Sequence, residues 1–268
     1  MAKKYPSASG FSLVELAIVV VILGLLTGGI LAGRSLIRAS ELRSILTEID
    51  KYKVAGMAFR SKYFALPGDM ANATKFWGSV TASGGTCPTS AGTGTETCDG
   101  NGDRILAVNS GHRLERYRFY EHLQNAGLLE GNLTGTAGPS PGLDGERHDV
   151  PGTNVPLSRY QDMPMSVNYV ERETTPGTYY TLNTGHYLVY ARCCRADYNV
   201  IDWQDDRMIH AEDMWTLDTK ADDGKPDYGR IQIQRGYWSG CATTHTSPAE
   251  YALNAGKKQC KPFFALGY

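Results

Sequence analysis

The sequence predicts an α+β chain: one long N-terminal helix, apolar in its first half, followed by a globular head built on an antiparallel β-sheet. Three observations predict it. Residues 11–33 (FSLVELAIVVVILGLLTGGILAG) form an apolar run with a single ionisable group, Glu15. A 3-4 spacing of apolar residues carries the helical pattern on to Tyr63. Period-two runs rich in aromatic and β-branched residues cluster after residue 165.

Composition bounds the function. With 268 residues, 41% hydrophobic and 21% charged, the chain can bury a core in one folded head. Its net charge of -1 creates no field that would recruit nucleic acid, so no nucleic-acid partner is expected. The six cysteines are even in number and form no C-x-x-C pair, which favours disulfides in an oxidising compartment over zinc or thioredoxin chemistry. Local loops close at the lowest entropic cost, which favours Cys87 with Cys98 and Cys241 with Cys260 and leaves Cys193 and Cys194 open.

The first element is the apolar helix. Residues 11–33 are long enough to cross a hydrocarbon layer of about 30 Å, and a cleaved secretory signal would have a core of only about 7 to 15 residues. Lys3 and Lys4 precede the run, and Arg34 and Arg38 follow it. Within it Glu15 needs a partner, because a carboxylate inside a bilayer costs about 2 to 3 kcal/mol. A cut between Gly10 and Phe11 would supply one, a new amine four residues back on the same helical face.

Short basic leader, Gly10, Phe11, then Glu15 at the fifth position after the cut: this arrangement resembles the prepilin leader of type IV pilins and type II secretion pseudopilins. The resemblance implies removal of residues 1–10 by prepilin peptidase, N-methylation of Phe11, anchoring in the inner membrane, and packing of apolar helices in a filament core. It also implies that Glu15 sets axial register against the N-terminus of an adjacent subunit, and that the fold has the family's ladle shape. One position departs. Ala32 stands where many type IV pilins carry a proline, while Gly24, Gly28, Gly29 and Gly33 dot the segment, so helix melting on assembly is expected at 24–33. The missing proline leans toward the pseudopilin side.

The second element continues the first. Leu42, Ile45, Ile49, Tyr52, Gly56, Phe59 and Tyr63 make one stripe, with Glu41, Arg43, Glu48, Asp50 and Lys51 on other faces. Residues 11–63 as one helix would run roughly 80 Å. Pro67 and Gly68 end it, which divides the chain into a leader (1–10), a membrane or filament-core helix (11–33), its amphipathic continuation (34–63) and a head (64–268).

Within the head a loop-rich stretch is expected up to about residue 112, stapled by Cys87 and Cys98. A helix then fits 114–131, burying Leu114, Tyr117, Tyr120 or His122, Leu123, Ala126 and Leu128, with Gly131 at its end. Strands are expected at 165–173, 178–183, 186–194 and 230–236, with a hairpin turn around Asn183–Gly185. A short helix between the last two would turn Met208, Ile209, Met214 or Trp215, and Leu217 inward.

Two acidic loops invite a hard cation. Asp99, Asn101 and Asp103 have the D-x-N-x-D spacing of an EF-hand loop but lack its Gly and its bidentate Glu. Asp218, Asp222 and Asp223, with Asp227, form a second cluster in a turn-prone stretch. Several pseudopilins bind calcium in head loops, and "LPGD...FWG" with a later "NGD", like "LDTKADDGKPDYG", resembles stretches of pseudopilin-like heads. The same residues also suit ordinary turns and caps. No cofactor is required by this reading, and calcium is the ion these loops would take.

Catalytic motifs are weak. "GPSPG" around Ser140 matches a hydrolase elbow only formally, since prolines flank it and no strand-turn-helix surrounds it. The six histidines show no metal spacing, and no nucleotide-binding loop occurs, so an enzyme is not expected. The leading function is a filament subunit of a type IV pilus or type II secretion pseudopilus. The alternative is a membrane-tethered binding protein or enzyme using a pilin-type export signal, or a minor tip subunit binding a surface or DNA. An open pocket with convergent titratable groups in the head would favour the alternative.

Overall fold

The computed structural model describes residues 12–80, 94–106, 115–136, 149–170, 183–190, 209–233, 240–244, 246–254 and 258–268. Its first element, α1 (Leu13–Tyr63), is a single helix of 51 residues and runs unbroken through the glycines at 24–33. The chain divides into two units, Met1–Leu42 and Arg43–Tyr268.

In the first unit the apolar side chains from Leu13 to Ile37 are exposed, Leu13 by 84% and Leu25 by 73%. The second unit begins within α1, whose expected stripe is buried at Ile45, Ile49, Tyr52 and Phe59. Gly56 belongs to that stripe for a steric reason, because a Cβ there would lie 2.6 Å from Cζ of Tyr268. Glu48 lies off that stripe, as expected, but is half-buried. It accepts hydrogen bonds from the Ser158 hydroxyl, the Arg159 N–H (2.8 Å) and the Tyr190 hydroxyl (3.0 Å), so it ties α1 to the sheet.

After α1 comes α2 (Thr74–Trp77), a short helix within the expected loop region. The next helix, α3 (Glu115–Asn125), ends sooner than the sequence implied, and Gly127 rather than Gly131 follows its last turn, at φ 72°. Every residue from Glu115 to Leu123 is buried, so α3 is enclosed on all sides rather than along one face. Its charged residues persist inside because they are paired: Arg116 with Asp149, and Arg118 with Glu121.

The sheet is antiparallel, in the order β1 (Met165–Val170), β2 (Gly185–Tyr190), β6 (Pro262–Ala265), β4 (Ile231–Ile233). Tyr187, Val189 and Phe263 pack on one face, and Tyr190 meets Phe264 edge-on at 5.4 Å. Gly185, expected in a tight hairpin turn, is instead the first residue of β2. Gly185 pairs with Val170 of β1, and β6 takes the other side of β2. The strand expected at 178–183 falls mostly on residues 171–182, which lie outside the described residues.

A two-stranded ladder joins β3 (Ile209–His210) to β5 (Lys258–Cys260), and α4 (Ala211–Ala221) follows β3 directly. In α4, Met214 and Leu217 face inward while Trp215 is 45% exposed. Ile209 is buried as expected, but in a strand.

Candidate functional site

The start of α1 gives Glu15 a partner within its own chain. The Ser12 N–H donates to Glu15 Oε2 at 2.8 Å, and the Glu15 N–H donates to Ser12 Oγ at 3.2 Å. This is a reciprocal capping box, in which two otherwise orphaned helix N–H groups are satisfied at once. The pattern S-x-x-E at 12–15 is its sequence signal. Gly10 and Phe11 lie outside the described residues.

In the head, Asp218, Asp222 and Asp223 bring one carboxylate oxygen each to within 4.8 Å of one another. The end of α4 positions them. Asp218 Oδ2 accepts from the Tyr251 hydroxyl at 2.6 Å and Oδ1 from the Gly224 N–H at 3.1 Å. Asp222 Oδ2 accepts from the backbone N–H groups of Arg230 and Ile231, and Asp223 Oδ1 from that of Lys225. Burial pushes the Asp218 carboxyl up to about 7, opposed by the Tyr251 and Gly224 bonds and reinforced by the charges of Asp223 and Asp222. Asp227 turns elsewhere, accepting from the Ala249 N–H at 3.1 Å. Three carboxylates make an all-oxygen donor set, the chemistry a hard cation takes.

The D-x-N-x-D segment is organised otherwise. Asp99 accepts from the Thr74 N–H (2.8 Å) and hydroxyl (3.1 Å) at the start of α2, while Asn101 and Asp103 bond to each other. The residue that gathers this loop is Asp69, absent from the sequence-based candidates, which accepts from Gly102 N–H and Arg104 N–H at 2.7 Å each. It thereby brings "LPGD" and "NGD" together. Gly68 sits at φ 89°, and a Cβ there would be 2.9 Å from the Phe119 nitrogen, so only glycine lets this loop meet α3.

Deeper in the head, Thr97, His122 and Glu121 have the residue types of a nucleophilic triad. The Gly68 N–H donates to His122 Nδ1 at 2.9 Å, so that nitrogen must be the acceptor. Nε2 then carries the proton and donates to Thr97 Oγ1 at 3.0 Å, while Thr97 donates to Glu121 Oε2 at 2.6 Å. A ring that donates to the hydroxyl is not placed to take its proton. Burial, aided by the Arg118 charge, pushes His122 down to about 3, so the ring stays neutral.

Cys241 and Cys260 are bonded, with Cα atoms 5.1 Å apart, as loop closure suggested. Cys98 is also disulfide-bonded, and Cys87, Cys193 and Cys194 lie outside the described residues, as does Ser140. A groove of about 310 Å³ is lined by apolar side chains, Phe264 among them, together with Asp50, Lys53 and Arg230.

A membrane-length apolar helix that opens on a capped acid and a processing-type motif defines the class of the N-terminal segment. Residues 6–31 match the prokaryotic N-terminal methylation motif, the prepilin-type cleavage and methylation signal of type IV pilins and pseudopilins. No curated protein and no solved structure matches this chain.

Proposed function

We propose that the protein is a structural subunit of a type IV pilus or type II secretion pseudopilus, cut by prepilin peptidase after Gly10 and polymerised through α1. One observation carries this reading: the methylation motif at 6–31 covers the start of a helix whose most apolar stretch buries nothing within the chain. Burying such a surface is worth about 25 cal/mol per Å², first in the inner membrane and then against other subunits. The head then stands outside the cytoplasm. Cleavage frees the Phe11 amine, and a cationic donor outcompetes the neutral Ser12 N–H for the Glu15 carboxylate. Exchange of Glu15 from its own cap to a terminal amine is the register step. Glu15→Ala is expected to insert in the membrane normally and to form no filaments, with a mature chain beginning at methylated Phe11. Filaments from that variant, or a mature chain keeping Met1, would overturn the reading.

The Asp218, Asp222 and Asp223 turn is proposed as a calcium site of this head. The support is the convergence of three carboxylates that repel one another, a repulsion that a cation would reverse.

A further inference from the structure

The chain leaving α3 presents an asparagine in a setting open to covalent modification. Asn132, Leu133 and Thr134 make the N-x-T acceptor triplet of N-glycosylation, and Glu130 stands two residues before the asparagine. A triplet is usable only where a transferring enzyme can reach it, so the local structure decides. Glu130, Gly131 and Asn132 are exposed, and residues 132–134 belong to no helix, strand or turn. Among the described residues, nothing bonds to the side chain of Glu130 or of Asn132. The backbone just beyond is held: the Leu133 N–H donates to Gln124 Oε1 at 2.9 Å and the Thr134 N–H to the Thr153 carbonyl at 2.8 Å. Thr134 Oγ1 accepts from the Thr136 hydroxyl at 3.1 Å, which leaves its own proton to donate.

A second triplet in the same head shows the contrast. Asn72, Ala73 and Thr74 have the same pattern, and Asn72 is exposed. Ala73, however, is fully buried in a right-handed helical conformation (φ -59°, ψ -37°). Thr74 gives both its N–H and its hydroxyl to Asp99. This triplet is folded into the start of α2 with its threonine already engaged. Asn132 alone of the two combines a free amide, an available hydroxyl proton and a nearby acid on an irregular surface loop.

We propose that Asn132 is an N-glycosylation site, modified by a membrane-bound oligosaccharyl transferase, an inference that rests on the proposed export of the head. The donor is an oligosaccharide carried on a lipid pyrophosphate. Asn132 Nδ2 bonds to the anomeric carbon of the first sugar, the bond from that carbon to the pyrophosphate oxygen breaks, and the lipid pyrophosphate leaves with the electron pair. The amide gives up one proton to a basic group of the enzyme. Thr134 Oγ1 is the hydroxyl that the enzyme reads, and Glu130 offers it a charge to pair with a cation.

Peptide mass spectrometry tests this on the full-length chain purified from the membranes of cells that make it natively. The peptide holding Asn132 is expected to carry the added mass of several sugars. Asn132→Gln and Thr134→Val should abolish that mass, Thr134→Ser should keep it, and Asn72→Gln should leave it unchanged. Glu130→Gln should lower occupancy about tenfold, the loss of one charge-assisted contact. Full occupancy in Glu130→Gln would remove the acid from the recognition. Asn132 found bare, or sugar found only on Asn72 or on a hydroxyl, in a chain cut after Gly10 whose head is digested by protease added to spheroplasts, would overturn the glycosylation site alone. A head that the protease does not reach, on a chain keeping Met1, would overturn the export reading and the site with it.

Discussion

Single side chains hold the head together through groups that hydrophobic pattern does not register. His122 is the clearest case, since its ring accepts from Gly68 and donates to Thr97 with no route to water. Its folded value lies near 3, below the ordinary 6.5, so the unfolded chain takes up a proton that the folded one refuses. The stability it lends is complete above about pH 6.5 and drains away as pH falls toward 3. Acid titration followed by circular dichroism should show that loss, and His122→Gln should flatten it. His122→Ala should cost about 2 to 4 kcal/mol, because it strands the Gly68 N–H and opens a cavity. The sequence marked His122 as one of two choices for a buried position, which is as far as helical spacing reaches. Glu48 was unreadable for the converse reason: a wheel separates polar from apolar faces but does not say which polar face meets a strand 142 residues away.

At the level of elements, long and strongly periodic segments were legible and short ones were not. The span of α1 follows from its apolar run and stripe, whereas β6 begins with Pro262, a residue that argues against a strand until it is seen at the first position. The enclosure of α3 was hidden because its charges find partners from other parts of the chain, as Arg116 finds Asp149. Two expectations belong here. Gly56→Ala should destabilise the head by about 1 to 3 kcal/mol through overpacking against Tyr268, measured by thermal melting, while Gly28→Ala, with nothing within 4 Å, should not. Calcium in excess over chelator should raise the melting temperature of the full-length chain, and Asp222→Asn should abolish the shift. An equal melting temperature with and without calcium would remove the cation from the account.

For the molecule as a whole, the processing signal was the most readable feature, because cleavage and membrane insertion depend on a short local string. The Ser12–Glu15 cap is equally local, its S-x-x-E signal lying inside the same string that carries the processing motif. The bond between Cys241 and Cys260 closes a loop of 19 residues, so Cys241→Ser with Cys260→Ser should lower unfolding free energy by about 3 kcal/mol in denaturant melts. The terminal strand β4 has a further consequence. Its outward Ile231 N–H is taken by Asp222, and its Ile233 N–H donates to the Pro226 carbonyl at 2.8 Å. A rim sealed in this way offers no template for strand addition. Crowded copies of the head are thereby kept from zipping into amyloid-like ribbons along this border.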